Sequence, residues 1–155
     1  MLEWLYKFIS PTGLGIRVDA DGDGHFGAKR GERKHRGVDF LCLPGQIIWS
    51  PIEGMAMRHA HPYADQEYDG LLISVDGMQV MVLYFKPNEE LIGTYIQQHQ
   101  GIGIAEDVTK RYPKAVHMQP HVHVNTIVNE EYVDCVQFMD PEFLKETEGQ
   151  DGRNS

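Results

Sequence analysis

The chain has 155 residues, of which 41% are hydrophobic and 24% are charged; this suits one globular domain with a real core and excludes a disordered chain. Two cysteines are too few for a small domain held together by disulfides, and we expect both to be buried, reduced thiols. The formal net charge of -9 argues against a general nucleic-acid binder, because neutralising phosphates requires a surplus of Lys and Arg.

Short runs rich in β-branched and aromatic residues dominate the sequence and predict strands. In chain order they are residues 37–43, 46–50, 54–58, 70–75, 78–85, 101–105 and 120–128. Most are bounded by Gly, Pro, Asp or Asn, and the Asp76-Gly77 pair predicts a tight hairpin turn. Helical spacing is limited to residues 64–68, 108–112 and 141–145. The pattern predicts a mainly β, antiparallel sandwich or small barrel with long loops.

One domain is predicted over residues 1–145, followed by a flexible acidic tail over 146–155. From Asn129 onward the sequence has eight acidic and two basic residues, and almost nothing apolar follows Phe143. No apolar run approaches the roughly 18 residues that a membrane-spanning helix needs. The first ten residues lack the features of a secretion signal, so we expect a protein that is cytoplasmic at synthesis.

Two patterns among the eight histidines have the spacing of metal ligands. His35 and Asp39 form H-x-x-x-D, and His121 and His123 form H-x-H. In an extended strand, His121 and His123 share one face with Cα atoms about 7 Å apart. His35 and Asp39 can share an ion only if the chain bends between them, and Gly37 permits such a bend. Two imidazoles and one carboxylate are a usual ligand set for catalytic zinc, but on spacing alone a metal site and ordinary histidines remain equally open.

Other polar motifs are expected to be structural. The segment that begins at Asp19 resembles the start of a calcium loop, but its twelfth position is Arg30 instead of the required Glu, so a plain turn is predicted. His59, His61 and His99 are expected to be exposed to solvent. The basic stretch over residues 29–36 is either a solvated loop or a surface that faces the substrate.

The stretch from Gly27 through Val124 resembles the lysostaphin/LytM-type zinc metallopeptidase family. The matching segments are FGAKRGERKHRGVDF, LPGQIIWSPIEGMA, VMVLYF, IQQHQGIGIA and PHVHV, in the family's order. The resemblance implies a duplicated-hybrid-motif fold, which is a compact antiparallel β structure with a groove over one Zn²⁺ ion. That fold agrees with the strand pattern.

The resemblance implies a role for each residue of the two histidine patterns. His35, Asp39 and His123 are expected to bind the zinc. His121 is expected to be catalytic, close to the water that zinc activates. The implied reaction is hydrolysis of peptide bonds in peptidoglycan cross-bridges or stem peptides. On position, the groove wall is expected to include Arg30, Tyr63 and Tyr84.

One residue departs from the pattern of the active peptidases. These have a second catalytic histidine in a Tyr-x-His pattern, whereas this chain has Tyr84-Phe85-Lys86. Lys86 is a catalytic candidate as a cation that stabilises the oxyanion, and His117 is a candidate replacement if its loop folds inward. The Tyr-x-Lys-Pro pattern also resembles the leukocyte cell-derived chemotaxin branch, which keeps the zinc site without known peptidase activity.

Two functions from different classes remain open at this point. The preferred one is a zinc metalloendopeptidase; the alternative is a catalytically inactive zinc-bound domain that binds a peptide, glycan or protein partner. A structural component of a phage or secretion machine is a third interpretation. We expect a monomer with no nucleic-acid partner and no membrane span. An enzyme for the cell wall or periplasm would then depend on lysis or on a dedicated exporter.

Overall fold

A computed structural model describes residues 4–150 of the chain. Its strands are β1 (Val18–Asp19), β2 (Gly22–Asp23), β3 (Lys29–Arg30), β4 (Arg33–Lys34), β5 (Val38–Leu41), β6 (Ile47–Trp49), β7 (Gly54–His59), β8 (Gly70–Val75), β9 (Met78–Leu83), β10 (Phe85–Pro87), β11 (Tyr95–Ile96), β12 (Gly101–Ala105), β13 (His121–Val128) and β14 (Glu131–Val133). Short 3-10 helices span Glu89–Leu91, Val108–Arg111 and Cys135–Phe138, and one α-helix, α1, spans Pro141–Glu146. Residues 151–155 of the predicted tail lie outside the described residues.

The largest sheet is antiparallel and is built around β13. Its strand order is β11-β7-β8-β9-β13-β14, and β5 also pairs with β13. The first half of β13 pairs with β5, from His121 opposite Leu41 to Val124 opposite Val38, while β9 runs along its other edge. Strand β13 therefore places the H-x-H pattern directly beside the strand that carries Asp39.

A second antiparallel sheet has the order β10-β12-β6. Between β9 in the first sheet and β10 in the second lies Tyr84, whose φ of 76° is unusual for a residue with a side chain. This left-handed residue turns the chain from one sheet into the other. The sheets are open and do not close into a barrel, so the sandwich-like version of the predicted fold is the one observed.

The core lies between these sheets and follows the period of two. Inward-facing residues of β8, β9 and β13 are almost fully buried, among them Ile73, Val80 and Val122. Strand β5 is buried at all four positions, and one of these is the charged Asp39. A buried carboxylate is costly unless it is paired, and Asp39 is paired with the buried Arg17 at 3.2 Å. Both cysteines are free and buried, as expected, and burial raises the pKa of Cys42 to about 12.

The predicted strands are confirmed, and the run over residues 78–85 is divided between β9 and β10. The hairpin at Asp76-Gly77 is confirmed, with Val75 opposite Met78. The helical prediction is correct for the 3-10 turn at residues 108–111 and for α1. It is wrong for residues 64–68, because Asp65 accepts a hydrogen bond from the Glu67 amide and Gln66 has a φ of 57°, which breaks helical geometry. No helix between residues 4 and 150 is long and apolar enough to cross a membrane.

Candidate metal centre

The pairing of β5 with β13 sets His123 opposite Asp39. His35 precedes β5 and is fixed to the β3–β4 ribbon, because its amide donates to the Ala28 carbonyl at 2.7 Å. Gly37 lets this segment pass close to β13, since a Cβ at position 37 would lie 2.6 Å from His123 Nε2. The bend predicted at Gly37 therefore brings the H-x-x-x-D pattern to the H-x-H pattern.

One donor atom from each of three residues converges at this point. Asp39 Oδ1 lies 2.8 Å from His123 Nδ1 and 3.4 Å from His35 Nε2, and the two nitrogens are 3.1 Å apart. Ligands around a tetrahedral zinc with bonds near 2 Å are separated by about 3.3 Å. The donor set and its spacing therefore fit zinc, with the ligands His35, Asp39 and His123 that the resemblance implies.

Both imidazoles are oriented by a second hydrogen bond. His35 Nδ1 donates to the His25 carbonyl at 3.1 Å, and His123 Nε2 donates to Asn125 Oδ1 at 2.7 Å. These partners leave His35 Nε2 and His123 Nδ1 facing each other and Asp39 Oδ1. Burial disfavours a charged His123, but its hydrogen bond to Asp39 raises the pKa of this imidazole, so a metal would replace a proton at Nδ1.

The second carboxylate oxygen of Asp39 lies among the side chains of two arginines and His121. Its Oδ2 atom lies 3.2 Å from Arg17 Nη1 and 3.7 Å from both Arg30 Nη2 and His121 Nε2. Burial favours the neutral acid, but His121 together with hydrogen bonds from His123 and His35 lowers the pKa of Asp39 well below its usual value. Asp39 is therefore held in its ionised form.

Arg17 is a site residue that the sequence reasoning missed. Its side chain is buried and pairs through Nε with Asp19 Oδ2 at 2.8 Å, while Nη1 reaches Asp39. An arginine between Ile16 and Val18 in a short segment has no spacing relation to either histidine pattern. Only the pairing of residues 16–17 with β5 reveals that Arg17 supports Asp39, since the Arg17 amide also donates to the Asp39 carbonyl at 2.8 Å.

His121 lies beside the cluster of His35, Asp39 and His123 but is not one of its three converging donors. It is only 5% exposed, and its Nδ1 donates to the Gln119 carbonyl at 2.8 Å. Its Nε2 therefore carries the lone pair and faces Asp39. Burial lowers the pKa of His121, although the nearby Asp39 opposes this shift. A neutral imidazole with its basic nitrogen toward the cluster is suited to accept a proton.

The cluster opens into a cleft of about 580 Å³ with two chemically different walls. One wall, here called the basic wall, consists of Arg30, Arg33, Lys34 and Arg36. Although the whole chain carries a net charge of -9, this side of the cleft is locally positive. The stretch therefore faces the cleft and is not only a solvated loop.

The opposite wall, here called the tyrosine wall, consists of Tyr63, Tyr84 and Tyr112. The Tyr63 hydroxyl lies 3.0 Å from that of Tyr84 and also bonds to that of Tyr112, while the Arg111 guanidinium covers the Tyr63 ring at 3.6 Å. The Tyr84 ring meets His121 edge-on, with centroids 5.8 Å apart. Burial raises the pKa of Tyr84 to about 12, so its hydroxyl keeps its proton.

Among the described residues, the side chains that line the cleft include neither Lys86 nor His117. Lys86 is exposed on β10 opposite the exposed Ile104, and its ammonium interacts with Glu106. His117 is exposed, and its amide donates to Asp21 Oδ2 at 2.6 Å. The predicted groove residues Arg30, Tyr63 and Tyr84 do line the cleft. Tyr112 lines it too and was missed, because nothing in its local sequence signals a contact with Tyr63.

No protein-family model matches the chain. Leukocyte cell-derived chemotaxin-2 of Mus musculus is 32% identical over 124 residues, which cover 78% of this chain and 79% of the mouse protein. Lysostaphin from Staphylococcus simulans has a similar solved structure, with a TM-score of 0.60 and 17% identity over 94% of this chain and 57% of lysostaphin. A zinc containing peptidase from Vibrio cholerae matches with a TM-score of 0.55 and 19% identity, over 86% of this chain and 41% of the peptidase.

These comparisons confirm both resemblances predicted from the sequence. The two solved structures share the fold, and this chain spans about half of the length of each. The mouse relative matches most of both chains, so its sequence similarity also shows membership of the same family. The chain therefore belongs to the leukocyte cell-derived chemotaxin-2 family, and its domain has the lysostaphin-type peptidase fold.

Proposed function

We propose that this chain is a zinc metalloendopeptidase that hydrolyses peptide bonds in peptidoglycan cross-bridges or stem peptides. The observation that carries the proposal is His121, a buried neutral imidazole whose Nε2 faces a three-ligand cluster at the floor of an open cleft. A closed structural metal site needs neither the fourth position nor a neighbouring base. The proposed place of action is the bacterial cell wall or periplasm.

His35, Asp39 and His123 are the residues proposed to hold the zinc. When bound, zinc supplies a Lewis acid that polarises the peptide carbonyl and activates a water molecule. His121 Nε2 accepts the proton of the attacking water, and the hydrogen bond from Nδ1 to Gln119 keeps this nitrogen in place. Asp39 Oδ2, at 3.7 Å, stabilises the imidazolium that forms. His121 then returns the proton to the leaving amine.

Tyr84 is proposed to supply the hydrogen bond that the second histidine supplies in the peptidase pattern. Its hydroxyl lies in the cleft wall beside His121 and remains protonated, so it can donate to the developing oxyanion. Lys86 was the residue expected in this role from its position in the sequence. The proposal moves that role to Tyr84, because Lys86 is exposed outside the cleft.

The two walls indicate the substrate class. The basic wall favours a peptide with free carboxylates, and the tyrosine wall offers flat surfaces for a peptide backbone. Stem peptides of peptidoglycan carry such carboxylates. The substrate proposal therefore rests on the local charge of the cleft, which is opposite to the net charge of the chain.

Release of peptide fragments from purified peptidoglycan tests this function. We expect at least one zinc per chain by elemental analysis and release that stops on addition of a chelator and returns with Zn²⁺. A preparation without added enzyme and a second with His121→Ala serve as controls. One bound zinc without release from any wall type would contradict the peptidase.

That contrary result would support the second candidate, a zinc-bound domain that binds a peptide, glycan or protein partner without cleaving it. The observation that favours this alternative is Lys86, in the position where the peptidase pattern has a histidine. In that case, peptidoglycan fragments should bind in the cleft, and the chelator should weaken binding without changing the fragments.

Paired substitutions at positions 84 and 86 separate the two candidates for the oxyanion donor. Tyr84→Phe is expected to reduce turnover roughly 100-fold, because it removes one donor from the cleft, together with the hydrogen bond to the Tyr63 hydroxyl. Lys86→Met is expected to leave turnover nearly unchanged. Steady-state kinetics on one peptide substrate measures both, and a large loss in Lys86→Met with none in Tyr84→Phe would reverse the assignment.

A further inference from the structure

A second group of histidines and carboxylates lies at the base of the loop between β7 and β8. His59 Nδ1 lies 2.9 Å from Asp69 Oδ2, and His59 Nε2 lies 2.9 Å from Glu89 Oε2. His61 Nδ1 is 3.7 Å from Asp69 Oδ1. We name these four residues the loop-base cluster. Both histidines were expected to be exposed to solvent; His61 is exposed, as expected, whereas His59 is half-buried, with its side chain 29% exposed.

The loop-base cluster gathers donor atoms in the manner of a metal site. One donor atom each from His59, His61 and Asp69 lie within 4.8 Å of one another. Within residues 4–150, neither Asp69 nor Glu89 forms an ion pair with a lysine or arginine. The two carboxylates therefore attract another cation, and imidazole with carboxylate suits first-row divalent metals.

Glu89 and the backbone of Asp69 orient these donors. When His59 Nε2 donates to Glu89, the lone pair of Nδ1 faces Asp69 and His61, which is the usual carboxylate–histidine–metal arrangement. The Asp69 carbonyl accepts from the amide of Tyr84 at 2.8 Å, and its amide donates to Glu106 Oε1 at 3.0 Å. Asp69 is thus held at the start of β8 with its carboxylate toward the histidines.

We propose that His59, His61 and Asp69 form a second binding site for a divalent first-row metal such as Zn²⁺, separate from the cleft, with Glu89 as a positioning residue. The loop over residues 60–69 begins and ends at this cluster and carries Tyr63 of the tyrosine wall. His61 Nδ1 also lies 3.4 Å from the Tyr68 carbonyl, a long contact that metal binding replaces. A metal at the base therefore restrains the loop that forms one side of the cleft.

Zinc binding by the full chain in a His123→Ala background tests the proposal, because that substitution removes a ligand of the cleft site alone. Equilibrium dialysis with Zn²⁺ as the probe, at about pH 8 where proton competition is weak, should detect one zinc per chain. Adding His61→Ala should abolish this binding, and adding Glu89→Ala should weaken it about 10-fold or more. His99→Ala, another partly exposed histidine, is the matched control and should change nothing.

A second readout is independent of peptidase activity and of the cleft. On addition of Zn²⁺ to the His123→Ala chain, the ring-nitrogen NMR signals of His59 and His61 should move together. Zinc binding that survives His61→Ala, or ring signals that respond to pH and not to Zn²⁺, would overturn the proposal; in the latter case the cation is a proton on His59. His61 is at the surface, so the melting temperature of its variant should match the control.

Discussion

The His123→Ala variant is expected to lose the zinc of the cleft site and turnover together, whereas the His121→Ala variant is expected to keep the cleft zinc and lose turnover. His123 contributes Nδ1 to the three converging donors, at 2.8 Å from Asp39 Oδ1 and 3.1 Å from His35 Nε2. His121 contributes no atom to this set, because its Nδ1 bonds to Gln119 and its Nε2 is 3.7 Å from Asp39. The two histidines of one strand therefore have separable roles.

The loss of turnover in His121→Ala should be about 1,000-fold, within the usual range for a general acid or base. Elemental analysis gives the zinc content, and release of peptide from peptidoglycan gives the turnover. His99→Ala serves as the control for substitution of a histidine outside the cleft. Equal zinc loss in both variants would show that His121 is a ligand, and unchanged turnover in His121→Ala would remove it from the mechanism.

The Gly37→Ala variant is expected to bind zinc at least about 10-fold more weakly and to be destabilised by about 2 kcal/mol. An added Cβ would lie 2.4 Å from the Val124 carbonyl oxygen and 2.6 Å from both Asn125 Oδ1 and His123 Nε2. Relief requires β5 to move away from β13 or the His123–Asn125 hydrogen bond to break. Both movements displace a zinc ligand.

Gly101→Ala is the matched control for this substitution. Gly101 begins β12, but a Cβ there would meet only the Ile47 side chain, at an ordinary contact distance of 3.4 Å. Zinc titration and thermal unfolding compare the two variants. Equal stability and zinc affinity in Gly37→Ala and Gly101→Ala would contradict the proposed close approach of the His35 segment to β13.

Local pattern was sufficient for most of the fold. The runs of apolar and β-branched residues over 70–75 and 78–85, with Asp-Gly between them, predict the β8–β9 hairpin because these features act within a few residues of one another. The helix predicted over 64–68 was wrong because local backbone contacts override the helical spacing. Its side-chain spacing is helical, but Asp65 bonds to the nearby backbone and Gln66 adopts a positive φ.

The cleft was predictable only in part. The sequence pairs His35 with Asp39 and His121 with His123, and the resemblance joins the two pairs into one ligand set. It also led us to expect Lys86 in the cleft, two residues after Tyr84. The left-handed backbone at Tyr84 changes the direction of the chain there, so Tyr84 faces His121 while Lys86 points to solvent beside Ile104.

Sequence alone therefore determined the β class and the turns, because these depend on residue chemistry and on spacing within short segments, whereas the proposed donor set came from the resemblance. The tertiary structure decided which distant segments meet. The register of β5 on β13 places Asp39 beside His123, and a slip of one residue would turn Asp39 away. Arg17 at Asp39, Tyr112 at Tyr63 and the loop-base cluster each join residues far apart in the chain, and their contacts exist only once the strands have paired and packed.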